Sequence, residues 1–217
     1  MKKFIALLSA STLTFSSAFG GTGIFGSYVG INANGSGNTF YGAQQPGSNF
    51  LTAFQGLDLG TFNTVSASDT LLLSGAEVLT FKNGTGNVTG SEVQWKVNRV
   101  TAPTSDGSFA AVAVNFTADA TFSDAAGNSF SGGGDQKWAN IASTPDVLSG
   151  LSAGTIVSPI QYELEVFFRS FTNEGDRFSN NGGSNFTATF EVVPEPSSYA
   201  LLLGLVGLTF VMFRRRK

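Results

Sequence analysis

Tyr162-Glu163-Leu164-Glu165-Val166-Phe167-Phe168 decides the fold class, because Tyr162, Leu164, Val166 and Phe168 fall on every second residue with two glutamates between them. Successive side chains of a strand point to opposite faces, so this spacing predicts a strand with one buried and one solvated side. The same period recurs in Val93, Trp95 and Val97 against Gln94, Lys96 and Asn98, in Ala110, Val112, Val114 and Phe116, and in Phe186, Ala188, Phe190 and Val192. Further strands are expected near 24–31, 50–59, 69–73 and 77–82, and no stretch of useful length carries a helical period. Asn34-Gly35, Asn83-Gly84, Asp106-Gly107 and Asn181-Gly182-Gly183 supply the turns, as residue types that tolerate positive φ. The expectation is an all-β chain with eight or nine strands in a single antiparallel β-sandwich or jelly-roll-like domain over residues 21–193. Residues 127–153, with Gly132-Gly133-Gly134, read as a long surface loop with room for a short helix at 138–142. The pairs Asn115-Phe116-Thr117-Ala118 and Asn185-Phe186-Thr187-Ala188 are too short to be a repeat.

Composition narrows the chemistry. The chain has no cysteine and no histidine, which removes disulfides, cysteine nucleophiles, structural zinc sites and the serine-histidine-acid arrangement. Stability must come from burial, and twenty-one phenylalanines supply a core at this length. Within 21–193 there are six basic residues against fourteen acidic ones, a formal charge of 6 − 14 = −8. An acidic body without a basic stripe repels phosphate backbones, so nucleic acid is not an expected partner.

The two ends differ from this body. Residues 1–20 carry Lys2 and Lys3, then an apolar stretch from Phe4, then small residues at Ala18 and Gly20. This is the layout of a secretory signal peptide cleaved after Ala18 or Gly20, and it implies signal peptidase and the secretion machinery as partners. The other end reads Pro194-Glu195-Pro196-Ser197-Ser198, then Tyr199 to Phe213 without a charge, then Arg214, Arg215, Arg216 and Lys217. As a helix, 199–213 would cover roughly 22 Å of a ~30 Å hydrocarbon core, and the terminal cations extend its reach by snorkelling to the far interface. Basic residues beside a span stay on the cytoplasmic side, which places the body outside the inner membrane.

A Pro-Glu-Pro triplet, a short uncharged span and an arginine-rich end, in that order, resemble a PEP-CTERM sorting signal, here at residues 194–217. The resemblance implies that exosortase, an integral-membrane enzyme, processes the chain near Pro194, Glu195 and Pro196. The ectodomain, first anchored on the periplasmic side of the inner membrane, would then pass to the cell surface or extracellular matrix, in company with exopolysaccharide and biofilm formation. A plain stop-transfer anchor accounts for the span and the cations but not for the triplet. A lipid-attachment signal would lack the basic end.

Within the body, each functional candidate competes with a bland reading. Glu163 and Glu165, two apart on a strand and so roughly 7 Å apart, have the separation of an inverting glycoside hydrolase pair. A solvated strand face carries such charges routinely. Asn173, Glu174 and Asp176, near Asn180 and Asn181, offer oxygen ligands of the kind calcium takes, with Asp124 to Asn128 as a second such stretch. The same residue types serve turns for backbone reasons. Among Trp95, Trp138 and Tyr162, the first and last alternate as core residues do, which leaves Trp138 as the aromatic placed to stack on a sugar. The expectation is a non-enzymatic surface protein without a required cofactor, with a carbohydrate-binding module and a secreted glycoside hydrolase as alternatives.

Overall fold

The computed structural model describes residues 21–63, 69–155, 157–194, 204–206 and 208. The expected signal peptide, Glu195, Pro196, most of the 199–213 span and the basic cluster Arg214 to Lys217 lie outside the described residues. Among the described residues twelve strands follow in order: β1 Thr22–Ala33, β2 Thr39–Gln44, β3 Leu57–Asn63, β4 Leu71–Lys82, β5 Val88–Arg99, β6 Ala110–Asp119, β7 Phe122–Ser123, β8 Ser129–Phe130, β9 Asp135–Ile141, β10 Ile160–Thr172, β11 Arg177–Ser179 and β12 Phe186–Val193. The all-β class is as expected, with 58% of the described residues in strands.

The architecture is not two packed antiparallel sheets. Ten strands form one sheet in the order β2-β1-β4-β9-β6-β5-β10-β12-β3, with β11 on β10, while β7 and β8 pair separately. Neighbours are antiparallel except β12 and β3, which run parallel. The sheet curls, and its outermost strands come close through the segment before β3. Gly42 of β2 donates to Thr52 O at 2.9 Å and accepts from Phe54 N at 2.8 Å. Long strands interrupted by bulges produce the curl, since each bulge bends and twists its strand. Register shifts fall between Ile24 and Gly26 and between Gly30 and Ile31 on β1, and between Val114 and Phe116 on β6.

Three sequence expectations change here, the first being the run near 50–59, of which only the residues from Leu57 are strand, as the start of β3. The runs 69–73 and 77–82 join as the single strand β4, because Gly75 is paired with Gly30 of β1 rather than sitting in a turn. A Cβ at Gly30 would lie 2.7 Å from the Gly75 Cα, so the close approach of the two backbones needs glycine at 30. The expected 127–153 loop instead holds β8 and then β9, which sits in the sheet between β4 and β6.

The concave side holds one core, with Val29, Leu73, Val78, Val93, Leu164, Phe168 and Phe190 fully buried. A smaller cluster lies on the outer side of β1 and β4, where Tyr28 and Leu79 pack with Phe25, Phe122 and Phe130. Register fixes two ends. One, the tail end, gathers the end of β12 and the turns 34–38, 100–109 and 142–159. The far end gathers Thr22 and the turns 45–56, 83–87, 120–134 and 173–185.

Candidate functional site

β12 alternates buried Phe186, Ala188, Phe190 and Val192 with half-buried partners up to Val193. The next residue is Pro194, half-buried, whose ring has no N–H to extend the ladder. The Pro-Glu-Pro triplet therefore begins where the sheet stops, with no linker between them. Residues 204–206 and 208 are helical, with Leu205, Val206 and Leu208 exposed at 61%, 58% and 61%. No helix among the described residues is long and apolar enough to cross a membrane.

Trp138 is not in a loop or a helix. It lies on β9, is 6% exposed, packs edge-on against Phe116 at 5.3 Å and donates from Nε1 to Thr80 Oγ1 at 3.0 Å. A ring this deeply buried, with its N–H engaged, offers no platform to a sugar. Tyr162 is also core, its hydroxyl held between Ser152 N and Ser152 O.

The calcium candidates are occupied one by one by protein donors. Glu174 accepts from Thr22 N at 3.1 Å and from Arg177 at 3.4 Å, Asp176 accepts from Arg169 Nη2 at 2.5 Å, and Asn173 Oδ1 accepts from Asn87 N at 2.8 Å. No group of three or more acidic residues among the described residues has the geometry to hold a metal ion. The second stretch has a structural task. Asp124 accepts the Tyr28 hydroxyl at 2.6 Å and the Asn128 side-chain amide at 2.9 Å. Glu77 accepts Ala125 N at 2.9 Å and pairs with Lys137 at 2.7 Å. Together these groups pin the β7–β8 hairpin to the sheet. Burial, and then Asp124, push the Tyr28 phenol far above its usual range. Burial likewise raises Glu77 despite the opposing pull of Lys137 and Ala125 N.

Glu163 and Glu165 share the outer face of β10. Glu165 is tied to Lys96 at 3.0 Å, Asn98 at 2.9 Å and Asn185 at 2.5 Å. Burial pushes its carboxyl up, but the donors Asn185, Lys96 and Asn98 outweigh burial and hold it below the usual 4.5. A general acid of a glycosidase needs the opposite shift.

The far end contains an open cleft of about 310 Å³ lined by Ala43, Gln44, Phe178, Ser179, Asn180, Asn181, Gly182 and Phe186. β2 supplies one wall. β11 and the 3-10 turn Asn181–Gly183 supply the other, and Asn181 and Gly182 hold φ of 49° and 68°. Phe178 is 51% exposed. In the sequence 181–183 carries only the signature of a turn, since the cleft joins segments some 130 residues apart.

With these positions fixed, comparison with known families gives one result: residues 192–217 match the PEP-CTERM protein-sorting motif. No curated protein matches the chain. The motif implies export and sorting to the cell envelope, with exosortase as the sorting partner.

Proposed function

We propose that this chain is a non-enzymatic surface or matrix protein. Secreted and then held at the inner membrane by 199–213, it is released outward when exosortase acts at Pro194, Glu195 and Pro196, and it works beside exopolysaccharide in a biofilm. The observation that carries the reading is the meeting of β12 and the motif at Val193 and Pro194. Cleavage at the triplet would leave every strand of the sheet intact. The absence of histidine and cysteine and the saturated carboxylate of Glu165 favour a role without catalysis. Replacing Pro194, Glu195 and Pro196 together by alanine should trap the chain, tail uncleaved, in the inner-membrane fraction. Release at the normal level would refute exosortase processing.

A second reading attaches to the cleft, as a site for a neutral saccharide. None of its eight lining residues ionises. Gln44, Asn180 and Asn181 each present a donor and an acceptor, the pairing that sugar hydroxyls satisfy, and Phe178 offers an apolar surface to a ring. The volume is at the lower end of the ~300–1,000 Å³ of small-molecule sites, room for about one or two sugar rings. In titrations with neutral oligosaccharides, Phe178→Ala and Asn181→Ala should each weaken binding about tenfold, a loss of ~1.4 kcal/mol. Binding unchanged in both variants would exclude the cleft.

A further inference from the structure

The turn Thr155–Ser158 breaks the pattern of this molecule's other turns. Thr155 N donates to Ser158 O at 2.8 Å and Ser158 N to Thr155 O at 3.1 Å, which closes a tight turn with Val157 at its tip, 94% exposed. Tight turns favour glycine, asparagine, aspartate and serine, and the turns at 34–35, 83–84 and 181–183 use them. A β-branched apolar side chain at a solvated tip serves neither the turn nor the core. Its position is informative. Gly154 N donates to Val192 O at 3.1 Å and Ile160 is in register with Val192, so the turn stands on the end of the strand that leads into the sorting motif. Val100, 44% exposed, lies on the other side of β10, its N–H bonded to Gln161 O at 2.9 Å.

The chain beyond the sheet says what lies opposite. Only residues 194–198 separate Val193 from the uncharged run that starts at Tyr199. Six Cα steps of ~3.3–3.6 Å span at most about 20 Å. The headgroup layer on one side of a bilayer is about 5–8 Å deep, so a tail that spans holds the tail end of the sheet at or near the headgroups. We propose that Val157 inserts into the outer leaflet of the inner membrane and seats the domain on the lipid while the tail is attached, with Val100, across β10, as a second exposed apolar residue of the same end. Burying such side chains is favourable, and the tether makes the contact intramolecular, at high effective concentration. At this end Asp69, Asp106 and Asp146 outnumber Arg99, whose guanidinium is bonded to Thr101 O, so anionic lipid has no electrostatic reason to bind and the contact is apolar. The inference rests on the anchored-tail reading above.

The absence of cysteine makes the test clean. Full-length Val157→Cys and Thr85→Cys chains, the latter at the exposed far-end turn, each carry one fluorophore and are reconstituted into phosphatidylcholine vesicles with nitroxide-labelled acyl chains. The chains should float with the vesicles, and the label at 157 should be quenched at least severalfold more than the label at 85. Adding Val100→Asp should reduce that quenching. Failure to float defeats the anchored-tail reading and the docking with it. Flotation with equal or no quenching at 157 defeats the docking alone. Quenching that requires added exosortase assigns the turn to the enzyme and overturns the lipid contact.

Discussion

At the far end of the sheet, polar side chains do the fastening: Lys82 with Asp119, Lys137 with Glu77, Arg169 with Glu92 and Asp176, and Arg177 with Glu174 all lie in that half. At the tail end the turns close through backbone bonds, such as Val100 N to Gln161 O and Thr155 with Ser158, and through uncharged side chains, such as Asn34 on Thr70 N and Asn98 on Gly107 N; Val157 and Val100 stand in solvent there, as Phe50 and Phe178 do at the far end. Among the described residues, five ion pairs lie in the far half and one, Lys96 with Glu165, lies toward the tail end. On the anchored-tail proposal above, the tail end faces the membrane, while the far end faces water and holds its own loops in place.

The comparison is tested most severely through the groups that lock the far half. Trp138→Ala removes a buried ring between β4 and β6 and should cost about 3–5 kcal/mol in urea unfolding. Oligosaccharide affinity of the folded fraction should not change, because the cleft lies elsewhere. Lys137→Met leaves Glu77 buried without its cation and should cost about 3 kcal/mol or more. Lys82→Met, which breaks the partly exposed pair with Asp119, should cost under about 1 kcal/mol. Equal losses for the two lysines would erase the distinction between a buried lock and surface pairing.

Smaller effects follow from titration. Because the folded-state value of Glu165 is depressed, its carboxylate adds stability above the unfolded value near 4.5 and loses it as pH falls through the folded value. Glu77 has the opposite sign: its raised value favours the fold at low pH and opposes it as pH climbs past 4.5 through the folded value. Glu165→Gln should therefore flatten the loss of stability on acidification below pH 4.5, whereas Glu77→Gln should abolish the gain in stability that Glu77 gives as pH falls from its folded value to 4.5. The smallest effect belongs to the tail end. Val157→Asp should alter unfolding stability by no more than about 0.5 kcal/mol, since its side chain touches little of the fold. A large loss would show that the turn supports the sheet.

Much of the sheet was legible because β5, β6, β10 and β12 place large apolar residues on every second position. β9 escaped because its buried phase holds Gln136 beside Trp138, so hydrophobicity does not alternate along it. β4 looked broken because Ser74-Gly75-Ala76 has the composition of a turn, whereas Gly75 serves a close approach of two strands. That the strands form one curled sheet with a parallel edge pair is a matter of long-range pairing, which local periodicity does not carry. The sorting tail, a linear motif, could be read directly. The cleft could not, because Gln44 and Phe178 meet only in the fold.

Intact-mass spectrometry of the mature protein from the cell surface, with both termini read, tests the central claim most directly. The account predicts a chain that begins just after residue 18 or 20 and ends near Pro194 to Pro196, with the last strand complete. A mature chain that ends at Lys217 would contradict it.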